Sequence, residues 1–128
     1  MAALSVFISF DYDHDQDSKN LLVGQAKNPD SPFEIADWSI KNASPDWKTD
    51  ARRRIKRATQ MIVICGEYTD SATGVDVEIQ IAREEKKAYF LLNGRPNSFY
   101  KKPSAALSSD KVYKWTWENL KALIAGSR

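Results

Sequence analysis

The sequence predicts an α/β three-layer sandwich built around a parallel sheet of four or five strands. Three observations lead there. Apolar, β-rich runs alternate with segments of helical periodicity, the pattern of strand–helix–strand crossovers. One run, TQMIVIC at 59–65, is unbroken in apolar residues from Met61 to Cys65, the pattern of a strand buried on both faces. The chain has 128 residues, without internal repeats or low-complexity tracts, which suits a single domain over 1–128 with a sizeable core.

Each element has its own justification. LSVFISF at 4–10 is a short apolar run that breaks into acidic residues, and is expected as the first strand. Residues 17–27 set Leu21, Leu22 and Val23 in a polar surround and read as a helix, which KNPDSP ends. FEIADW at 33–38 is the second strand. Pro45 suits a first helical turn with Ser44 as its N-cap, so a basic helix is expected from there to about residue 58. The third strand, 59–65, is followed by a helix over 73–87 and by a strand, AYFLL, at 88–92. The polar stretch from Asn93 to Lys114 is longer than an ordinary connection. A last helix begins near Thr116, where Trp115 and Leu120 have the spacing of a hydrophobic staple. The order β-α-β-α-β-α-β-loop-α is that of a flavodoxin-like fold. Such sheets collect ligands outside the carboxyl ends of their strands, which directs attention to residues 10–15, 37–39, 65–68 and 93–95.

Composition excludes more than it identifies. A formal net charge of +2 is small and argues neither for nor against a polyanionic partner. The basic segment ARRRIKRA, 51–58, lacks the interleaved aromatic residues of a nucleic-acid footprint. No apolar run reaches the length of a membrane span, and the N-terminus lacks the layout of a signal peptide. A single Cys65 cannot form an internal disulfide, and with one His14 it cannot complete a Cys/His zinc site. The expectation is a cytoplasmic protein with neither nucleic acid nor membrane as partner.

The acidic stretch after the first strand invites a metal. Asp11, Asp13, Asp15 and Asp17 match the alternating ligands of a calcium loop, but Gln16 stands where the turn needs Gly and Leu22 where the bidentate Glu belongs. A phosphorelay receiver would need an Asp at the end of the third strand, which reads Ile64-Cys65-Gly66-Glu67. No metal site is expected. Asp13, Asp15 and Asp17 suit loop solvation and capping of the next helix. Glycine-rich nucleotide loops, zinc-protease and nucleophile-elbow motifs are absent. His14 reads as a solvated loop histidine, Trp47 as packing and Cys65 as inert.

The informative helix is TGVDVEIQIAREEKK. At 100° per residue, Val75, Ile79 and Ala82 fall within roughly 60° of one another. Glu78 projects beside that stripe, whereas Gln80, Arg83 and Glu84 project to the polar side. A carboxylate among apolar neighbours is costly unless it is paired or opens on a cleft. Two outcomes stay open: a stripe-edge Glu reaching solvent, or a carboxylate at the rim that also holds the Asp11 loop.

VFISFDYDHD, FEIADWSI, SPDWKTDARRRIKRATQMIVICG, TGVDVEIQIA and ALSSDKVYKWTWENLK resemble, in order and over nearly the whole chain, the TIR-like domain of bacterial Thoeris ThsB proteins. The resemblance implies the same fold and an enzyme of anti-phage defence. Such an enzyme cleaves the nicotinamide–ribose bond of NAD⁺ to make an ADP-ribose-derived messenger, which a separate effector protein reads. It maps the catalytic glutamate onto Glu78, and implies NAD⁺ as substrate with no further cofactor. The Trp-Cys pair common before this glutamate in other TIR domains is replaced by Gly74 and Val75. Ser9, Phe10, Asp11 and Tyr12 would line the substrate rim, Phe10 by stacking and Asp11 by a polar contact. Asp37, Trp38 and Ser39 occupy the loop that borders the nucleotide in TIR domains, the alternative being a core Trp38 with an Asp–Ser turn. Self-association of TIR domains or a phage protein could be the trigger.

Two other classes compete: a non-catalytic TIR-like module that binds a nucleotide or a protein, and a nucleoside deoxyribosyltransferase-like enzyme. In the stretch 93–114, Arg95, Lys101 and Lys102 could offset a diphosphate and Phe99 or Tyr100 could cover a base. The alternative there is a loop that packs Leu107 and Tyr113 onto the sheet.

Overall fold

The computed structural model describes residues 4–40 and 45–126. Its elements are β1 (Leu4–Ser9), α1 (Gln16–Ala26), β2 (Phe33–Trp38), α2 (Trp47–Arg57), β3 (Gln60–Cys65), α3 (Thr73–Glu84), β4 (Ala88–Asn93), β5 (Val112–Tyr113) and α4 (Trp117–Ile124). The five strands are all parallel, in the order β2-β1-β3-β4-β5. This is the flavodoxin-like order, and the chain reverses its direction of travel across the sheet between β1 and β3.

Every residue of β3 is buried, because it lies between β1 and β4 and is covered on both faces. Ile62 and Ile64 pack with Leu22 of α1 and with Leu120, Leu123 and Ile124 of α4. Met61, Val63 and Cys65 face the other way, onto Ala51 and Ile55 of α2 and Val75, Ile79 and Ala82 of α3. Two helices on each face make the three layers. Removing one such buried side chain, as in Ile62→Ala, costs about 2–5 kcal/mol.

Element boundaries depart from expectation where backbone chemistry intervenes. The basic helix starts at Trp47, after Asp46, whose side chain makes no capping bond; the expected cap, Ser44, lies outside the described residues. α3 ends at Glu84, short of 87, in a Schellman turn. Lys86 adopts φ 56°, its N–H bonds the Arg83 carbonyl at 3.1 Å, and the Lys87 N–H bonds the Ala82 carbonyl at 2.8 Å. At the last helix the Thr116 side chain caps the Asn119 N–H at 3.1 Å. Trp115 packs on the same apolar cluster that contains Leu120.

The polar stretch contributes the fifth strand. It is strapped down by Arg83 donating to the Ala105 carbonyl at 2.7 Å, by the Ala105 N–H donating to Asp76 at 2.9 Å, and by the Tyr89 hydroxyl donating to Asp110 at 2.6 Å. Tyr113 packs on the sheet, as the packing alternative expects. Leu107 does not; it is half exposed. Among the described residues no helix is long and apolar enough to cross a membrane.

Candidate active site

The site is built where β1 and β3 part. Side chains alternate along β1, so Phe7 and Ser9 face α3 while Val6 and Ile8 face α1 and α4. On β2 the register slips: Val6 pairs with Ile35 but Phe7 pairs with Asp37. Ala36 is therefore an extra residue, a β-bulge of the kind that re-aims the side chains beyond it. Beyond the bulge the Ser39 N–H reaches the Ile8 carbonyl at 2.9 Å. Its hydroxyl accepts from the Phe10 N–H at 3.1 Å.

Glu78, in the second turn of α3, turns inward with the apolar stripe and is only 2% exposed. Its Oε1 accepts two hydroxyl hydrogen bonds, from Ser9 at 2.7 Å and from Ser39 at 2.6 Å. Of the two outcomes the sequence left open, solvent is thus excluded. Burial pushes the Glu78 carboxyl up to about 7, while the two serine hydroxyls hold it down. Near neutral pH the group is poised between its two forms.

Glu78 opens onto a cavity of about 190 Å³ that is also lined by Phe10, Asp11, Tyr12, His14, Ser39 and the first turn of α3. Pockets that enclose a drug-sized ligand run to ~300–1,000 Å³, so this one takes a single ring and leaves the remainder of a larger ligand on the rim. Ser9 does not line the cavity; it supports Glu78 from behind.

The last two residues of β2 go elsewhere. Asp37 accepts from Arg54 of α2 at 3.0 Å and from the Trp38 N–H at 2.9 Å. Trp38 lies partly exposed beneath the Lys19 ammonium, 4.6 Å from its ring. Neither residue lines the cavity, where both were expected to border the substrate, and the alternative of a core Trp38 is not found either.

The acidic stretch divides by partner. Asp11 is nearly buried and accepts from His14 Nδ1 at 2.7 Å and from the Asp13 N–H at 3.1 Å. Asp15, at the N-cap of α1, makes no capping bond; it is buried and takes Arg95 at 2.9 Å. Its Oδ2 has no partner and lies against Gly66, where any Cβ would collide with the carboxylate. Burial raises the Asp15 carboxyl and Arg95 opposes this. Arg95 also holds Asp17 and the His14 carbonyl, so its guanidinium is engaged within the protein and is not free for a diphosphate. Among the described residues no group of three or more His, Cys, Asp and Glu side chains converges as a metal would require. Cys65 is buried and its thiol is pushed up to about 12 by desolvation, which suits an inert residue.

His14 is the residue the sequence reading misplaced. It has a partner, Asp11, and its ring stacks on Tyr68 at 4.2 Å between centroids. The Asp-x-x-His spacing in the turn leaving β1 was the available signal. Tyr68 and the stretch Ser71–Thr73, which lines the cavity, carried none, since only the fold of the β3–α3 loop brings them there.

A family model described as Thoeris protein ThsB, TIR-like domain, matches residues 7–95, from β1 to just beyond β4. No curated protein matches the chain.

Proposed function

The chain belongs to the Thoeris ThsB TIR-like domain family, and from that premise we propose that it cleaves the nicotinamide–ribose bond of NAD⁺ to make an ADP-ribose-derived signal in anti-phage defence. The observation that carries this reading is Glu78, a buried carboxylate with Oε1 held by two serine hydroxyls and its side chain opening on a ring-sized cavity.

Nicotinamide departs from NAD⁺ as a neutral molecule, so the leaving group needs no general acid. The ribose carbon it leaves becomes oxocarbenium-like, and a preorganised anion stabilises that charge as it develops. Ser9 and Ser39 fix Oε1, and the Glu78 side chain lines the cavity. Holding the carboxylate before substrate arrives removes reorganisation from the reaction step. The ionised form is the working one. The same burial that raises the carboxyl to about 7 also strengthens its interaction with a nearby positive charge. Phe10, expected as a stacking surface, is buried in the core; Tyr12, partly buried against it with the rings 6.2 Å apart at 27°, is the aromatic face at the rim for the part of the dinucleotide that the cavity cannot enclose. NAD⁺ serves as substrate, no further cofactor is invoked, and the product is read by a separate effector.

Incubation of the protein with NAD⁺, with products resolved by mass spectrometry, tests this directly. Free nicotinamide together with an ADP-ribose-derived product is the expected result. Activity could await infection, so the assay is repeated in lysate of phage-infected cells. No nicotinamide above a Glu78→Gln control in either setting overturns the reading and leaves the non-catalytic binding module.

A further inference from the structure

The cavity carries a second acid–base pair that oxocarbenium stabilisation does not use. Asp11 and His14 are three residues apart and joined by a 2.7 Å hydrogen bond at Nδ1. Asp11 is itself locked, since its other oxygen accepts the Asp13 N–H and it is only 8% exposed. The His14 ring is steadied by Tyr68, stacked at 4.2 Å and 30°. Its backbone is held at both ends: the N–H bonds the Asp11 carbonyl at 3.2 Å, and the carbonyl accepts from Arg95 at 2.9 Å. An ionised carboxylate can only accept, so Nδ1 carries the proton and the neutral ring keeps its lone pair on Nε2. The ring lines the cavity, yet its side chain is 48% exposed. It thus lines the same cavity as Glu78 while remaining open to the solvent from which an acceptor would arrive.

We propose that His14, oriented by Asp11, is the general base that takes the proton of the hydroxyl acceptor attacking the ribose carbon. This rests on the NAD⁺-cleavage reading and extends it to the second half of the reaction. The carbon–nitrogen bond breaks with its electron pair departing on nicotinamide. The acceptor oxygen, from water or a sugar hydroxyl, forms the new carbon–oxygen bond with its own lone pair. The acceptor proton passes to Nε2, giving an imidazolium paired with Asp11, and is then released to solvent from the exposed edge of the ring.

The surroundings agree with that role. Asp11 raises the His14 pKa, with smaller contributions from Asp13 and Asp15. Among the described residues, Tyr68 from the β3–α3 loop stacks on its ring, Arg95 holds its backbone carbonyl, and Tyr12 and Glu78 line the same cavity. Asp11 therefore makes the imidazole a stronger base while fixing which nitrogen acts.

His14 is the only histidine in the chain, so its imidazole can be followed without ambiguity. Nitrogen-15 spectra of the neutral ring should show the Nδ1–H tautomer, and Asp11→Asn should abolish that preference. An Nε2–H tautomer in the parent overturns the proposal whether or not turnover is seen. In kinetics, His14→Ala should lower nicotinamide release by about 10²-fold or more, and added imidazole should restore part of it. The acid limb of the rate should change from two deprotonations, Glu78 and His14, to one. A His14→Ala protein with parental rate and limb, or a loss that imidazole does not rescue, overturns it. A parent that releases no nicotinamide at all marks the failure of the cleavage reading itself; an active parent indifferent to His14 marks the failure of this inference alone.

Discussion

The Ser39 hydroxyl at the end of β2 donates to Glu78 Oε1 on α3 at 2.6 Å, joining residues 39 positions apart in the chain. Ser9 adds a second bond to the same oxygen from β1. Both bonds favour the charged carboxylate, so each serine holds the Glu78 pKa below what burial alone would impose. Ser39→Ala and Ser9→Ala should each move the acid limb of nicotinamide release to higher pH. Activity at pH 7 would fall several-fold while activity at pH 9 recovers towards the parent. An unshifted limb would detach the serines from the ionisation of Glu78.

Glu78→Gln should lower nicotinamide release by about 10²–10³-fold or more with the fold intact. Its effect on stability has a definite sign. A carboxyl raised from 4.5 to about 7 on folding contributes nothing unfavourable below pH 4.5, where both states are protonated. Between those values the folded state binds the proton more tightly, so stability falls as pH rises. Above about 7 the loss is complete, on the order of 3 kcal/mol. The amide carries no such penalty. Melting curves should therefore show Glu78→Gln gaining on the parent between pH 5 and pH 8; equal gains at both pH values would contradict the buried ionisation.

Arg95 is expected to matter for stability more than for substrate. It neutralises Asp15, whose carboxylate is almost wholly buried with one oxygen unpartnered. Arg95→Ala leaves that charge unpaired, at a cost of about 3 kcal/mol. Adding Asp15→Asn should recover part of the loss. Chemical denaturation measures both, and a cost below about 1 kcal/mol would show that the pair is adequately hydrated.

Calcium, magnesium or a chelator should leave both nicotinamide release and melting temperature unchanged. Asp11 is committed to His14, and Asp15 and Asp17 to Arg95, so the four aspartates do not act as one ligand set. An ion bound only by the native state would raise the melting temperature in proportion to its excess. A saturable rise with millimolar calcium would restore the acidic stretch as a metal site.

Lys86 occupies the left-handed position that ends α3, at φ 56°. A side chain there costs roughly 1 kcal/mol against glycine. Lys86→Gly should stabilise the protein by about that amount, measured by denaturation, with no effect on turnover.

Periodicity along the chain determined the elements, since a strand buried on both faces must be continuously apolar and a packed helix must repeat its apolar residues about every 3.6 positions. The run from Gln60 to Cys65 and the stripe Val75, Ile79 and Ala82 therefore marked a parallel sheet with α3 against it. The same projection brought Glu78 to notice beside that stripe. Which residues meet Glu78 was decided only by tertiary structure. Asp37 and Ser39 looked equivalent in sequence, yet Asp37 meets Arg54 of α2 and Ser39 meets Glu78 of α3. Likewise Asp11 and Asp15 belong to one acidic alternation, yet the turn after β1 gives Asp11 to His14 and carries Asp15 down against Gly66 and Arg95. Local patterns report how a segment is buried, because burial follows its own period. Hydrogen-bond partners depend on register and loop path between distant segments, and those are set when the layers pack.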